Sequence, residues 1–354
     1  MGWGALWGEC VRDPREGAKT YTRSVYPTMA DVAKLAGVSK MTVSHVMNGH
    51  QYVRAETRAK VEAAMAAVDY RPNATARALR RGRTGVIGLA VSNIHMPYTA
   101  ELARGVSDVL QQYGYRVAIE ETRGRSESET EAWLRSPLSY DGLLISTSSL
   151  HRVPPGTLPQ GYPVVVLGES IDDLSVDHVG IANKAGLALA TRHLLGLGRT
   201  RVAFVGGSLG EETDMQVSRT RGYAQALRHA GVAFDPALVL PTMSDTPGGH
   251  AAAAQVLAAG ADGAVCVTDS VALGLMRGLA DRGCRVPDQV PVVGFDDVEL
   301  SQFASPTLTT VRPDKDELVA TAVAMLVERM GGFDGPGRLR VVQCELIPRE
   351  STAL

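Results

Sequence analysis

The hydrophobic positions of this chain fall into two regimes. Between Thr28 and Val68 apolar side chains recur every three or four residues in short runs, whereas from Thr84 onward short apolar strands alternate with longer amphipathic stretches. In the first regime Thr28 is placed to cap a helix, with Asp31 as a carboxylate in its first turn. Val32, Leu35 and Ala36 would share its inward face, and Gly37 would end it, because glycine tolerates the left-handed backbone that leads a chain out of a helix. Ser39 can cap a second helix, Lys40 to about Met47, whose Val43, Val46 and Met47 face inward. Lys40, Met41, Ser44 and His45 therefore point outward together. Asn48-Gly49 ends that helix, and Glu56 to Val68 sets Val61, Met65 and Val68 at i, i+4, i+7, closing a three-helix core before Pro72. Two short helices joined by a Gly-containing turn, the second with a polar outward face, form a helix-turn-helix whose second helix would lie in a DNA major groove. An ordinary helical hairpin is the alternative.

The second regime begins with VIGLAV (86–91) and a helix carrying Leu102, Val106, Val109 and Tyr113 on one face. RVAI, DGLLIS, PVVVL and DHVGI follow as strands; after a helix through Leu187 and Leu194 a second series runs RVAFV, ALVL, GAVCV and PVVGF. This alternation predicts two doubly wound parallel sheets, an α/β architecture. TLTTV (307–311) then crosses back, and a helix from Lys315 to Met330 precedes RLRVVQCEL.

Charge sharpens the division. From Met1 to Gly85 there are 14 Lys and Arg against 7 Asp and Glu, although the whole chain of 354 residues carries a formal charge of only -2. A basic head on an acidic body suits nucleic-acid binding at one end. The four cysteines form no CxxC pair, so a reduced cytosolic compartment and no zinc site are expected. No membrane span and no signal peptide are expected either. Met1 to Pro27 has no periodicity and reads as a flexible tail or an early start.

Enzymatic chemistry finds little footing. Gly206-Gly207-Ser208-Leu209-Gly210 matches GxSxG after a strand, but Glu211 to Asp214 intervene before any helix, and only His229 and His250 follow as possible bases. There is neither GxGxxG nor GxxxxGK[ST], so no nucleotide cofactor is implied.

DVAKLAGVSKMTVSHVMNG with ETRAKVEAAMAAVDYRPNATARAL resembles the DNA-binding headpiece of the LacI/GalR repressors from Thr28 to Leu79 without a gap, and more loosely to the C-terminus. The resemblance implies a homodimeric transcriptional regulator, a repressor acting on a pseudo-palindromic operator, and no catalytic residue, metal or cofactor. In that reading Lys40, Met41 and His45 read bases, and Thr28, Ser39, Ser44, Asn48 and Thr57 hold phosphates. Asn73 to Leu79 becomes a hinge helix, too short to be stable alone in water. Its Leu79 wedges into the minor groove, with Asn73 and Arg77 beside the backbone.

For the body the resemblance is to the periplasmic-binding-protein fold, in which the chain crosses three times between two subdomains and a ligand binds in the cleft. Residues 1–27, the tail or early start, have no counterpart there; the resemblance implies 28–71 as the helix-turn-helix domain, 72–83 as the hinge, and 84–354 as the effector-binding and dimerisation domain. That domain divides into an N-subdomain (about 84–183 plus 312–338) and a C-subdomain (about 184–311 plus 339–354). Matched motifs carry Tyr98, Arg219, Asp269 and Asp296 into the cleft, where a guanidinium and a carboxylate could clamp sugar hydroxyls. Each has a plainer reading: Tyr98 as core, Arg219 as a surface charge, Asp269 as a helix cap. Departures from the family pattern are Ser244 near the place of a stacking aromatic, Gly168-Glu169 and Ala182-Asn183 where acids are commoner, and His45 where most members carry Arg.

Overall fold

The computed structural model describes residues 27–50, 52–70, 83–146, 161–168, 176–210 and 215–353. The chain divides into two compact units, Met1–Arg81 and Gly82–Leu354, each with its own core.

The first unit holds α1 (Met29–Ala36), α2 (Lys40–Met47) and α3 (Ala55–Ala67). Its small core is Val32, Ala33, Val43, Val46, Val61 and Ala64, rimmed by Met29, Ala36, Met47, Met65 and Val68 among others. Thr28 closes a capping box, its backbone N–H and hydroxyl donating to Asp31 Oδ2 at 2.9 and 2.7 Å. Ser39 Oγ accepts the Thr42 N–H at 3.1 Å and starts α2. Gly37 leaves α1 at φ 66°, a left-handed backbone that favours glycine. One expectation fails here: Leu35 is 56% exposed. The stripe that faces the core is Met29, Val32, Ala33 and Ala36, at i, i+3, i+4, i+7, and Leu35 lies off it.

The second unit carries two six-stranded sheets. The first contains β1 (Val86–Val91), β2 (Arg116–Glu121), β3 (Gly142–Ser146), β4 (Val164–Leu167), β5 (Asp177–Ile181) and β11 (Leu339–Val342), in the order β11-β5-β4-β3-β1-β2. The second contains β6 (Val202–Val205), β7 (Val239–Leu240), β8 (Gly263–Cys266), β9 (Val292–Phe295), β10 (Thr309–Pro313) and β12 (Cys344–Ile347), in the order β12-β10-β9-β8-β6-β7. All pairs are parallel except β10 with β12. Helices flank the strands: α4 (Pro97–Gln112), α5 (Ser126–Ser139), α6 (Asn183–Gly196), α7 (Met215–His229), α8 (Thr246–Ala258), α9 (Asp269–Ala280) and α10 (Lys315–Met330). Strands covered on both faces read as unbroken apolar runs, as VVVL and VAFV do. Side chains such as Leu89, Phe204 and Phe295 are fully buried, each contributing about 1.5–3 kcal/mol, so sheet burial sets the two lobes. No described helix is long and apolar enough to cross a membrane.

The chain passes between lobes three times, and the passages are bonded together. Ala182 N donates to Val342 O at 3.0 Å, and Asp314 N donates to Gln343 O at 3.1 Å. The third passage corrects the expected boundary, because Leu339–Val342 extends the first sheet beside β5 and only Cys344–Ile347 joins the second. RLRVVQCEL is one extended run whose pattern does not change where it changes sheet. A second correction concerns ALVL. Pro236–Leu238 forms a 3-10 turn, leaving only Val239–Leu240 as strand, because the Asp235 carboxylate accepts the Ala237 N–H at 3.0 Å and Pro236 opens a helical turn.

Candidate functional site

On the headpiece, only Val43 and Val46 of α2 are buried, which leaves Lys40, Met41, Ser44 and His45 on its open side with Asn48 one turn further on. Met41 is 67% exposed. Asn48 Nδ2 donates to Ser44 Oγ at 3.4 Å. Thr28 and Thr57 sit at the starts of α1 and α3, Thr57 half-buried. Asn73, Arg77 and Leu79 lie outside the described residues.

The end of α2 holds what the sequence did not disclose. Gly49, at φ 71°, turns the chain so that His50 N donates to His45 O at 3.1 Å and Gly49 N to Val46 O at 3.0 Å. That pair of bonds is a Schellman motif. It brings the rings of His45 and His50 to 5.0 Å at 82°, while Tyr52 lies 5.2 Å from both, at 77° to His45 and 30° to His50. Arg58 of α3 ties the loop down through a 2.9 Å bond to His50 O.

In the body, the candidate residues follow the carboxyl ends of strands: Tyr98 after β1, Arg219 on the helix after β6, Asp269 after β8 and Asp296 after β9, with the strand order reversing beside β1 in one sheet and between β6 and β8 in the other. Arg219 is 3% exposed. Its Nε donates to Asn183 Oδ1 at 2.9 Å, Nη1 donates to Val267 O, and the guanidinium lies 3.4 Å over the Phe295 ring. Nη2 stands 3.7 Å from Asp296 Oδ1, a buried ion pair. The surface-charge reading of Arg219 is therefore overturned. Asp296 is itself 5% exposed and holds φ 116°, a strained backbone for a residue with a side chain. Burial pushes its carboxyl above the usual range against the pull of Arg219. Tyr98 is half-buried, and burial, then the Asp296 charge, raises its phenol, with Arg219 acting the other way. Tyr98, Arg219 and Asp296 thus form one electrostatic cluster.

Asp269 adds a repelling charge near Asp296, but its own oxygens are engaged elsewhere. It is fully buried, and its oxygens accept from Val298 N at 2.9 Å, Ser301 Oγ at 2.7 Å and Thr310 Oγ1 at 2.5 Å. All three donors belong to the second lobe, so the carboxylate braces the loop behind Asp296. It does not cap α9 with its side chain either, since Thr268 Oγ1 accepts the Val271 N–H at 3.3 Å.

Two features escaped the sequence. Asn183, in one of the departures, is what aims Arg219. Glu101 of α4 spans the lobes, accepting from Lys315 Nζ at 2.5 Å and from the second lobe's Glu299 N at 2.8 Å, while Lys315 also donates to Asp297 O at 3.0 Å. Asp297 is gripped by Arg312 and Arg349, each at 2.6 Å, which fixes the 296–297 turn. Both links join residues remote in sequence, so no local pattern could have announced them. Ser244, near the place of a stacking aromatic in the family pattern, accepts from Gln216 Nε2 at 3.2 Å. Ser208 is no nucleophile elbow: its Oγ accepts the Gly210 N–H at 3.2 Å, and His250 pairs with Asp281 at 2.9 Å.

A helix-turn-helix unit joined in one chain to a two-lobed body with a polar cluster at its strand ends defines a class, the transcriptional regulators with a binding-protein-like body. Residues 28–73 match the model of bacterial regulatory proteins of the lacI family, and residues 191–352 match a periplasmic binding protein-like domain. The ribose operon repressor of Haemophilus influenzae is 31% identical over 92% of this chain and 98% of its own length. A Lac repressor dimer bound to operator and the anti-inducer ONPF superposes with a TM-score of 0.78 at 28% identity, covering 93% of this chain and 100% of that one. The regulator CelR in complex with cellobiose gives 0.68 at 29%, covering 92% and 99%. The chain belongs to the LacI family of DNA-binding transcriptional repressors, which are not enzymes.

Proposed function

We propose that this repressor binds operator DNA as a homodimer and that a polyhydroxylated small molecule, a sugar or a close relative, held between its lobes sets the affinity. The observation that carries the ligand reading is the buried Arg219–Asp296 pair beside Tyr98, at the strand ends where such folds receive ligands. A guanidinium fork and an acceptor carboxylate match vicinal hydroxyls, whose donor and acceptor capacity satisfies both. Among the relatives, a CelR–cellobiose complex and a repressor of a ribose operon point to the same class. Arg219 and Asp296 are almost closed to solvent, so a ligand enters as the lobes part, which strains the Glu101 bridge. Ligand occupancy and lobe position are then one equilibrium, and operator affinity follows from it.

On DNA, Lys40, Met41 and His45 read bases, and Thr28, Ser39, Ser44, Asn48 and Thr57 approach phosphates, with Asn73, Arg77 and Leu79 acting in the hinge. Neutralising several phosphates releases counterions, so log affinity falls with log salt at roughly 0.9 per phosphate neutralised. Titration of a genomic operator fragment with the full chain at 50 and 200 mM salt tests this, with a loss on the order of a hundredfold or more expected. Affinity that hardly moved would remove the phosphate contacts from the account.

A further inference from the structure

We infer that His50 and Tyr52 are positioning residues for base recognition, holding the His45 ring so that the three aromatic rings act as one specificity-determining unit. The inference rests on the reading that α2 presents His45 to the operator, and it adds residues that lie outside the helix.

The geometry begins with the backbone. His45 and His50 are the C3 and C″ positions of the Schellman motif at the end of α2, fixed by the bonds His50 N to His45 O and Gly49 N to Val46 O. Side chains at those two positions commonly touch, and here both are imidazoles, edge to face at 5.0 Å. Tyr52 completes a near-equilateral triangle, tilted 30° from His50 and almost perpendicular to His45. Offset and edge-to-face contacts at these separations are the favoured aromatic arrangements. The cluster cannot be explained as core. Tyr52 is 68% exposed, His50 is exposed and His45 half-buried, and none of the three belongs to the headpiece core of Val32, Val43 and Val61. It sits where α2 leaves its open face, anchored from α3 by Arg58 to His50 O.

Recognition supplies the reason for such an arrangement. An imidazole is shorter than a guanidinium and offers at most one donor and one acceptor when neutral, so it discriminates a base edge only if its plane is fixed. A free His45 would sample several rotamers and lose affinity on ordering; a ring already held by two others does not. His50 and Tyr52 thus substitute preorganisation for the two-pronged grip that an arginine brings by itself.

The test is selection of bound sequences from a random duplex pool by the full chain, followed by affinity measurements on the enriched site and on single-base variants. His45→Ala, His50→Ala, Tyr52→Ala and Tyr52→Phe are compared with the parent, and thermal unfolding checks that each variant folds. Discrimination at the base affected by His45→Ala is expected to fall about three- to tenfold in His50→Ala and Tyr52→Ala. Tyr52→Phe, which keeps the ring, should retain it, and His45→Ala/Tyr52→Ala should be no worse than His45→Ala alone. If His50→Ala and Tyr52→Ala weaken binding equally to all sequences, with base preference intact, they are backbone contacts and the positioning role is overturned. If His45→Ala itself leaves every base preference unchanged, the base-reading role of His45 falls, and the positioning role with it.

Discussion

Asp269 and Arg219 are both buried charged residues in the second lobe, Asp269 directly after an apolar strand and Arg219 inside a helix, and the structure gives them different work. Arg219 is bonded to Asn183 and Val267 with one arm left toward Asp296, whereas Asp269 has its oxygens filled by Val298, Ser301 and Thr310. Removing a buried acceptor orphans its donors at about 1–3 kcal/mol each, not additively. Asp269→Ala should therefore lower the stability of the body by roughly 2–4 kcal/mol in urea unfolding. A variant with unchanged stability but no ligand affinity would return Asp269 to the ligand site. The pair Arg219–Asp296 needs gentler treatment, because deleting one partner strands a buried charge at about 3–5 kcal/mol. Arg219→Lys keeps the charge and removes the fork, which makes it the useful variant.

Among the elements, the headpiece was the most legible. Its caps, glycine exits and apolar spacing are local, and only Leu35 was misplaced, by one position on a two-turn helix. The sheets were legible because buried parallel strands are unbroken apolar runs. The switch of RLRVVQCEL between sheets was not, since an extended chain has the same period in either one. Nor could a reading along the chain find Glu101 with Lys315, or Asn183 with Arg219, pairs made only by the fold. The connection after α10 gives a further element-scale prediction. Asp177, buried on β5, takes bonds from Arg329 Nε and Nη2 and from Arg338 Nε, Nη2 and its backbone N–H, at 2.8 to 3.1 Å. Burial alone would raise its carboxyl, but the bonds from Arg338 and Arg329 outweigh it and hold it at about 2. A folded pKa below the unfolded value of about 3.9 gives stability that is present above that pH and lost as pH falls toward 2. Thermal melts of the parent and Asp177→Asn across pH 2 to 6 should converge at the acid end and separate above pH 4. A constant gap would contradict the assignment.

At the scale of the whole molecule, the body is two similar lobes joined by three bonded passages, with Glu101 as a side-chain bridge between them. The bridge is partly exposed, so losing its ion pair costs about 1 kcal/mol, a severalfold change in the ratio of open to closed bodies. Glu101→Gln should enlarge the ligand-free body in small-angle scattering, and a profile identical to the parent's would exclude the bridge as a restraint. The central claim is that a ligand at the Arg219–Asp296 cluster governs operator affinity, and one titration addresses it. Operator binding by the parent and by Arg219→Lys is measured across a panel of mono- and disaccharides that includes ribose and cellobiose. At least one compound should shift the parent's affinity by roughly 5- to 150-fold, the usual span of allosteric coupling. Arg219→Lys should match the parent without ligand and need ten- to a hundredfold more of that compound for the same shift, the loss expected for a charge-assisted bond. An Arg219→Lys protein that responds at the parent's concentration, or a compound that binds the cluster and leaves operator affinity untouched, would contradict the account.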